Sequence, residues 1–166
     1  MITRNAPYFK TVPLCNGQES PPPLFCSVER VVRFEEVDSL GIVWHGRYSS
    51  YFEDARVALG NKYGIGYLDI QAAGFIIPVK QMGVDYIAPL RFGDQCRISA
   101  TLHWTEAARL NFSYYITDTK GSLLATGFTV HLFMTIDLEL CIIRPDFYIA
   151  FCDKWLSGAW SGSGRT

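Results

Sequence analysis

The sequence has no surplus of either charge and no run of like charges. Its 15 basic and 16 acidic residues leave a formal net charge of -1 over 166 residues. Binding to nucleic acid needs a basic patch or stripe, and binding to a membrane surface needs an amphipathic helix with a basic face. Because neither is found, the composition predicts no nucleic-acid partner and no membrane partner.

Long apolar runs and paired cysteines are missing as well. No stretch approaches the roughly 20 apolar residues of a membrane-spanning helix, and the N-terminus lacks the apolar segment of a secretory signal. The five cysteines are odd in number and form no C-x-x-C pair, which favours reduced thiols and a cytoplasmic location. No ligand spacing joins His45 to His103 or His131, so no metal site is expected.

The length and the composition predict one globular domain with two poorly structured ends. A chain of this length is long enough for a single hydrophobic core, and 49% of its residues are hydrophobic. Residues 1–23 are interpreted as a poorly ordered extension that ends in three prolines, which lack the N–H donors of a sheet ladder. The domain is placed at 24–156, and 157–166 is expected to be a flexible tail.

The pattern of apolar residues predicts the order β–α–β–β–β–β–α. Apolar residues recur at helical spacing from Tyr48 to Tyr63, and Gly60 and Gly64 are expected to end this helix. Alternation predicts strands over 25–35, 75–88, 96–104, 110–116 and 124–136, followed by a short helix over 145–155. Pro78 places the second strand at an edge or a bulge.

These elements predict an α+β fold in which a curved five-stranded antiparallel sheet wraps around one long helix. The outward residues of most strands are polar, so only one face of the sheet needs cover. The long helix is the one element large enough to provide it. Open sheet edges remain, and strand pairing in a homodimer, or in a dimer of dimers, would close them.

The loop between the first strand and the helix carries the residues best suited to catalysis. Asp38 and Gly41 precede three apolar residues, and His45 comes immediately before the helix. The apolar residues should draw the loop toward the core and bring Asp38 near the helix N-terminus. Free N–H groups at that terminus can bind the oxyanion of a thioester under attack. A carboxylate beside such donors is sufficient for acyl transfer.

This loop resembles the signature of the 4-hydroxybenzoyl-CoA thioesterase family of hot-dog proteins and of the related Tol–Pal-cluster acyl-CoA thioesterases. The family pattern is D-x-x-G-[IV]-V-[WY]-[HY]-x-x-Y before a helix, and the segment from Asp38 to Tyr48 matches it without a gap. The segments 51–56, 85–94 and 143–149 resemble further family motifs. The resemblance covers roughly residues 25–152.

The resemblance implies a thioesterase that cleaves an acyl- or aroyl-CoA, with CoA as part of the substrate and no other cofactor. It implies that Asp38 acts as nucleophile or general base and that the backbone N–H at His45 polarises the thioester carbonyl. It also implies an active site across a dimer interface, with the strand 75–88 as its second wall. The residues expected to contact the substrate are Val43, Trp44, Tyr48, Ile77 and Arg109.

Several alternatives remain open. Asp38 could instead be a loop or capping acid, and Glu53 on the helix is a second candidate carboxylate. The turn at 105–108 is acidic where aryl-type relatives are basic, so an acyl-carrier-protein substrate is possible. Hot-dog hydratases and dehydratases use a D-x-N-P-x-H pattern, whereas Asp38 and His45 are seven residues apart without an Asn-Pro pair. The non-enzyme alternative is a dimer that binds acyl thioesters without turnover.

Overall fold

One long helix lies against a sheet of five antiparallel strands in a computed structural model that describes residues 8–9, 13–14, 16–17 and 19–160. The strands follow the spatial order β1-β4-β5-β6-β3, and β2 pairs with β7 in a separate two-stranded sheet. The bounds are β1 Leu24–Val31, α1 Tyr48–Tyr63, α2 Tyr67–Ala72, β2 Phe75–Ile76, β3 Val79–Tyr86, β4 Gln95–His103, β5 Arg109–Asp118, β6 Leu123–Leu132, β7 Met134–Thr135 and α3 Asp146–Leu156. The hot-dog architecture expected from the sequence is confirmed.

The long helix has the bounds that its apolar periodicity predicted. It ends at Gly64, whose φ of 70° is the left-handed conformation that glycine adopts most readily. Gly60, by contrast, does not end the helix, and this expectation was wrong. It lies inside α1. A Cβ at this position would come within 2.8 Å of the Gly66 Cα, which explains why the residue is glycine. The glycine therefore permits a close approach of the chain that follows the helix.

The core lies between α1 and the sheet. The ring of Phe52 stacks on Tyr114 of β5 with 4.4 Å between centroids, and both side chains are buried. Ala55 and Leu59 continue the buried stripe of α1 against Ile98 of β4. Burying each large apolar side chain contributes about 1.5–3 kcal/mol, so this stripe fixes the helix on the sheet.

The strand β6 presents its larger apolar residues away from the helix, so the expectation of a polar outer face was wrong there. Its helix-facing side is small or polar, and a Cβ at Gly127 would meet the Phe52 ring. On the outer side, Phe128 is covered by residues of the N-terminal extension: the Tyr8 ring lies 5.0 Å away and the Phe9 ring 6.0 Å away. The Tyr8 hydroxyl also donates a hydrogen bond of 2.6 Å to Asp85 on β3.

Three predicted strands are shorter or interrupted. The first ends at Val31, and a 3₁₀ turn over Phe34–Glu36 follows it. The strand predicted over 75–88 is divided into β2 and β3 at Pro78, which has no N–H to donate, and a register shift follows. The last predicted strand is divided into β6 and β7 at Phe133. As expected from its proline, β3 is an edge strand.

The C-terminal helix begins where the sequence predicted. The carbonyl of Pro145 accepts N–H groups from Tyr148 and Ile149 at 2.9 Å each. The Trp155 indole N–H donates to the carbonyl of Pro22 at 2.8 Å, so α3 is tied to the extension. No helix in the described part of the chain has the length and apolar character needed to cross a membrane. Residues 1–7 and 161–166 lie outside the described residues, and the predicted division into extension, domain and tail stays a prediction.

Candidate active site

Asp38 lies at the start of a tight turn within a small hairpin. Its N–H donates to the Ile42 carbonyl at 2.9 Å, and its own carbonyl accepts the Gly41 N–H at 2.9 Å. Gly41 has a φ of 72°, which a residue with a Cβ rarely adopts. The Oδ1 atom of Asp38 accepts the Leu40 N–H at 2.8 Å, while Oδ2 has no partner among the described residues. The carboxylate is therefore oriented by the turn and keeps one oxygen available.

The hairpin is fixed to the rest of the chain by its apolar arm. Val37 and Val43 form an antiparallel bridge, and the buried Val43 donates its N–H to the Leu90 carbonyl at 2.8 Å. The Trp44 N–H donates to the Glu36 carbonyl at 2.9 Å. The expectation that the apolar residues draw this loop inward is thus confirmed for Val43, whereas the Trp44 side chain stays half-exposed.

The helix start next to this hairpin offers backbone donors. A 3₁₀ turn over His45–Arg47 runs directly into α1, and the first N–H groups of a helix have no partner within it. The His45 side chain is exposed and lies beside the Trp44 ring, 5.0 Å between centroids. Tyr86, at the end of β3, donates its hydroxyl to the His45 carbonyl at 3.0 Å, and its ring packs on Tyr48. The edge strand therefore holds the helix start in place.

A buried ion pair that was not predicted from the sequence lies beneath the hairpin. Glu36 is 2% exposed and pairs with Arg30 of β1. Burial alone would raise the pKa of Glu36, but hydrogen bonds from the Arg33 N–H, from Arg30 and from Tyr51 outweigh it and hold the pKa below its usual value. No local pattern marked it, because Glu36 lies beyond the end of β1, and Phe34, which has the same alternation parity, is exposed.

Two predicted substrate contacts, Ile77 and Arg109, lie far from Asp38 within one chain. Arg109 pairs with Leu132 of β6, whereas Tyr86 pairs with Ala125, seven residues earlier on the same strand. At about 3.4 Å per residue, Leu132 and Ala125 are about 24 Å apart, and so are their partners Arg109 and Tyr86. Ile77 lies at the Arg109 end because β3 starts there. The structure thus places Asp38 on the same short hairpin as Val43 and Trp44, which lead into the helix start at His45, but places Ile77 and Arg109 at the other end of the sheet.

Ile77 is held by a second buried polar cluster. The ring of His131 is fully buried, with Nδ1 3.0 Å from the Ile77 carbonyl and Nε2 2.7 Å from the Arg56 guanidinium. Because a guanidinium only donates, Nε2 accepts, and the proton is on Nδ1. Burial, together with the charge of Arg56, lowers the pKa of His131 to about 4. The alternative acid Glu53 is exposed on α1, 3.7 Å from Arg56.

Comparison with known proteins places this arrangement in one family. The thioesterase-like superfamily matches residues 32–151. The chain is 28% identical over 101 residues to a putative acyl-CoA thioesterase, YneP, of Bacillus subtilis, which covers 61% of this chain and 73% of that protein. It is 27% identical over 93 residues to the acyl-CoA thioester hydrolase YbgC of Escherichia coli, 56% and 69% of the two chains.

Solved structures agree with this result. A DHNA-CoA thioesterase from Staphylococcus aureus superposes with a TM-score of 0.72 and 27% identity, over 82% of this chain and 91% of that one. A hypothetical protein from Thermus thermophilus gives a TM-score of 0.67 and 33% identity, over 76% and 95%. The family, the fold and the enzyme class predicted from the sequence, a thioester hydrolase, are thereby confirmed. The chain belongs to the thioesterase-like superfamily and has its hot-dog fold.

Proposed function

We propose that this protein hydrolyses an acyl- or aroyl-CoA to the free acid and CoA, with Asp38 as the catalytic carboxylate. The observation that carries the proposal is the position of Asp38: one carboxylate oxygen is held by the Leu40 N–H, and the other is open, on a hairpin joined to the start of α1. Membership of the thioesterase-like superfamily supports the reaction class.

Two routes use this carboxylate. As a nucleophile, Asp38 attacks the thioester carbon, the C–S bond breaks, CoA leaves as the thiolate, and water hydrolyses the resulting mixed anhydride. As a general base, Asp38 takes a proton from the water that attacks the same carbon. In both, the C–S bond breaks and negative charge develops on the carbonyl oxygen, and in this proposal the backbone N–H at His45 stabilises it. One such donor is worth about 10²–10³ in rate.

The edge strand β3 supports a site shared by two subunits. On the helix-facing side of β3, Val79, Met82 and Tyr86 are about half-exposed. The free edge of β3 has no strand beside it in the described part of the chain. A twofold axis that pairs two such edges antiparallel places the start of one β3 beside the end of the other. The partner's Ile77 would then lie near Asp38 and form the second wall. We expect a homodimer, or a dimer of dimers, and a monomer by light scattering would contradict this.

The side chains expected to contact the substrate fit more than one kind of acyl group. Trp44, Tyr48 and Ile77 suit an aromatic ring or a short acyl chain, and Arg109 is exposed at the start of β5, where it could reach a CoA phosphate. A chloroplastic acyl-acyl carrier protein thioesterase of Arabidopsis thaliana is 29% identical over 92 residues, 48% of its length. A carrier-protein substrate is therefore the second candidate, and the cytoplasmic location stays a prediction.

The test is thiol release from a panel of aroyl-CoA, acyl-CoA and acyl-carrier-protein thioesters. We expect the wild type to hydrolyse at least one of them and Asp38→Asn to lose about 100-fold or more in kcat, the scale of losing a general base. Glu53→Gln is the matched control and should stay near wild type. Equal activity in Asp38→Asn would contradict the assignment. No hydrolysis of any thioester would favour a binding dimer, and hydration of an enoyl thioester would favour a hydratase.

A further inference from the structure

Glu36 is a buried acid that the reaction itself does not use. Its side chain is 2% exposed, whereas that of the adjacent Glu35 is 68% exposed and lies 3.8 Å from the exposed Arg33. A buried carboxylate is costly to desolvate unless several partners satisfy it. The contrast between the two neighbouring acids indicates that Glu36 has a role that depends on its buried position and not on its charge alone.

Every oxygen of the Glu36 side chain has a partner on a different part of the chain. Oε2 accepts the Arg33 N–H at 2.8 Å and the Tyr51 hydroxyl at 3.0 Å. Oε1 accepts from the Arg30 guanidinium, which also pairs with Asp54 of α1 and lies 4.0 Å above the centre of the Tyr51 ring. Glu36 therefore joins β1, through Arg30, to the first turn of α1, through Tyr51.

The backbone of Glu36 also closes the hairpin that carries Asp38. Its carbonyl accepts the Trp44 N–H at 2.9 Å, and Trp44 is the last residue before the helix start at His45. The Val37–Val43 bridge and the hydrogen bond from Asp38 to Ile42 complete the pairing. The carboxylate of Asp38 and the N–H groups at the helix start are thus the two ends of one short unit, and Glu36 lies at its base.

We propose that Glu36 is a positioning residue for the reaction, which sets the Asp38 carboxylate at its distance from the N–H groups at His45. This inference rests on the proposed role of Asp38. The side chain ties the hairpin to Tyr51 on the same helix whose first N–H groups would bind the oxyanion. Displacement by about 1 Å can cost about 10²-fold in rate, because the reacting groups must be held near the attack geometry.

The carboxylate form of Glu36 is required for this role. In Glu36→Gln, one oxygen can still accept from the Arg33 N–H and the Tyr51 hydroxyl, but the amide NH₂ faces the Arg30 guanidinium. Two donors then oppose each other, and among the described residues the Arg30 cation keeps Asp54 as its acidic partner. We expect the base of the hairpin to shift while the apolar core around it stays packed.

The experiment measures kcat and KM for thiol release in Glu36→Gln, with Glu35→Gln as matched control and folding checked by circular dichroism. We expect kcat to fall by about 10–100-fold in Glu36→Gln with KM changed by less than about threefold, because the geometry of attack and not the binding of substrate is altered. The Glu35→Gln variant should match the wild type. A Glu36→Gln kcat within twofold of wild type would overturn the inference.

A double-mutant cycle with Asp38→Asn separates positioning from a general structural effect. If Glu36 acts through Asp38, adding Glu36→Gln to Asp38→Asn produces no further loss of the residual rate. The same fold-loss in both backgrounds would overturn the inference. Wild-type activity in Asp38→Asn alone would overturn the proposed function instead, through a variant that leaves Glu36 intact.

Should Glu36→Gln fail to fold, Tyr51→Phe carries the test, because it removes only the hydroxyl that joins Glu36 to α1. The phenyl ring keeps the apolar contacts of the buried tyrosine. We expect kcat to fall by about 3–10-fold with KM nearly unchanged, the scale of one lost hydrogen bond. A kcat equal to that of the wild type would overturn the inference.

Discussion

Two buried polar clusters lie under α1, and they differ in how their charge is balanced. At the start of the helix, Glu36 and Arg30 are an ion pair of opposite charges. Further along, the Arg56 guanidinium meets the neutral ring of His131. The first cluster holds the hairpin of Asp38, and the second holds the Ile77 carbonyl at the break between β2 and β3. Each end of the proposed site therefore rests on its own buried network.

The difference teaches which protonation state each end requires. Partners around Glu36 favour its charged form and lower its pKa, so this end needs a carboxylate. Burial and Arg56 favour the neutral form of His131 and lower its pKa to about 4, so the other end needs an uncharged ring. Acid should therefore disturb both ends, but at different pH.

The largest effect is expected from removing the cation of the first cluster. Arg30→Met leaves Glu36 buried without its counter-ion, and breaking a buried pair in this way costs about 3–5 kcal/mol. We expect the free energy of unfolding, measured with urea, to fall by about this amount. Adding Glu36→Gln should recover much of the loss, because the uncompensated charge is removed. A loss below about 1 kcal/mol for Arg30→Met would show that the pair is solvated.

Acid titration should separate the two clusters. The unfolded imidazole titrates near 6.5 and the folded His131 near 4, so between these values the unfolded state binds the extra proton. The contribution of His131 to the free energy of unfolding is constant above pH 6.5. It should fall by about 1.4 kcal/mol per pH unit below that value, until about pH 4. The contribution of Glu36 is lost only as pH falls below its unfolded value of 4.5.

The matching control for this titration is a pair of variants. His131→Gln should remove the slope that His131 adds between pH 6.5 and 4.5, as measured by urea unfolding at several pH values. Glu36→Gln should leave that slope unchanged but lower stability above pH 4.5, and its difference from the wild type should shrink as pH falls below 4.5. Equal slopes in wild type and His131→Gln would contradict the assignment of the higher window to His131.

The smallest effect is expected from Glu53, the exposed acid beside the second cluster. Its carboxylate lies 3.7 Å from Arg56 and its side chain is 55% exposed. An exposed ion pair of this kind contributes about 0–1 kcal/mol. Glu53→Gln should therefore change the free energy of unfolding by less than about 0.5 kcal/mol, and a larger loss would mean that Arg56 depends on it.

The sequence predicted those parts of the fold that one periodic pattern determines. The bounds of α1 followed from its apolar stripe, and the turn at Asp38 followed from a contiguous motif. The buried pair of Arg30 and Glu36 was not predicted, because Glu36 lies beyond the end of β1 and two adjacent acids gave no local reason to separate Glu36 from Glu35.

The rest depends on contacts that no local pattern specifies. The strand β6 faces α1 with Gly127 and His131 because Phe52 and Arg56 need space and an acceptor there. On its other side, Phe128 then faces Tyr8 and Phe9 of the N-terminal extension. Likewise, Ile77 and Arg109 were expected at the site, but the structure places them at the opposite end of the sheet from the start of α1, and the dimer proposed above is one way to bring them to it.

The central claim is that Asp38 and Ile77 of one site come from two subunits, and subunit mixing tests it most directly. Asp38→Asn would be mixed with Ile77→Phe, which should alter the proposed second wall and lower kcat/KM, after dissociation and reassociation of both. If each site takes Asp38 from one subunit and Ile77 from the other, every mixed dimer has one native site. About half of the dimers are mixed, so thiol release should recover to about a quarter of the wild-type rate. A rate that stays at the mean of the two parent variants would contradict the shared site.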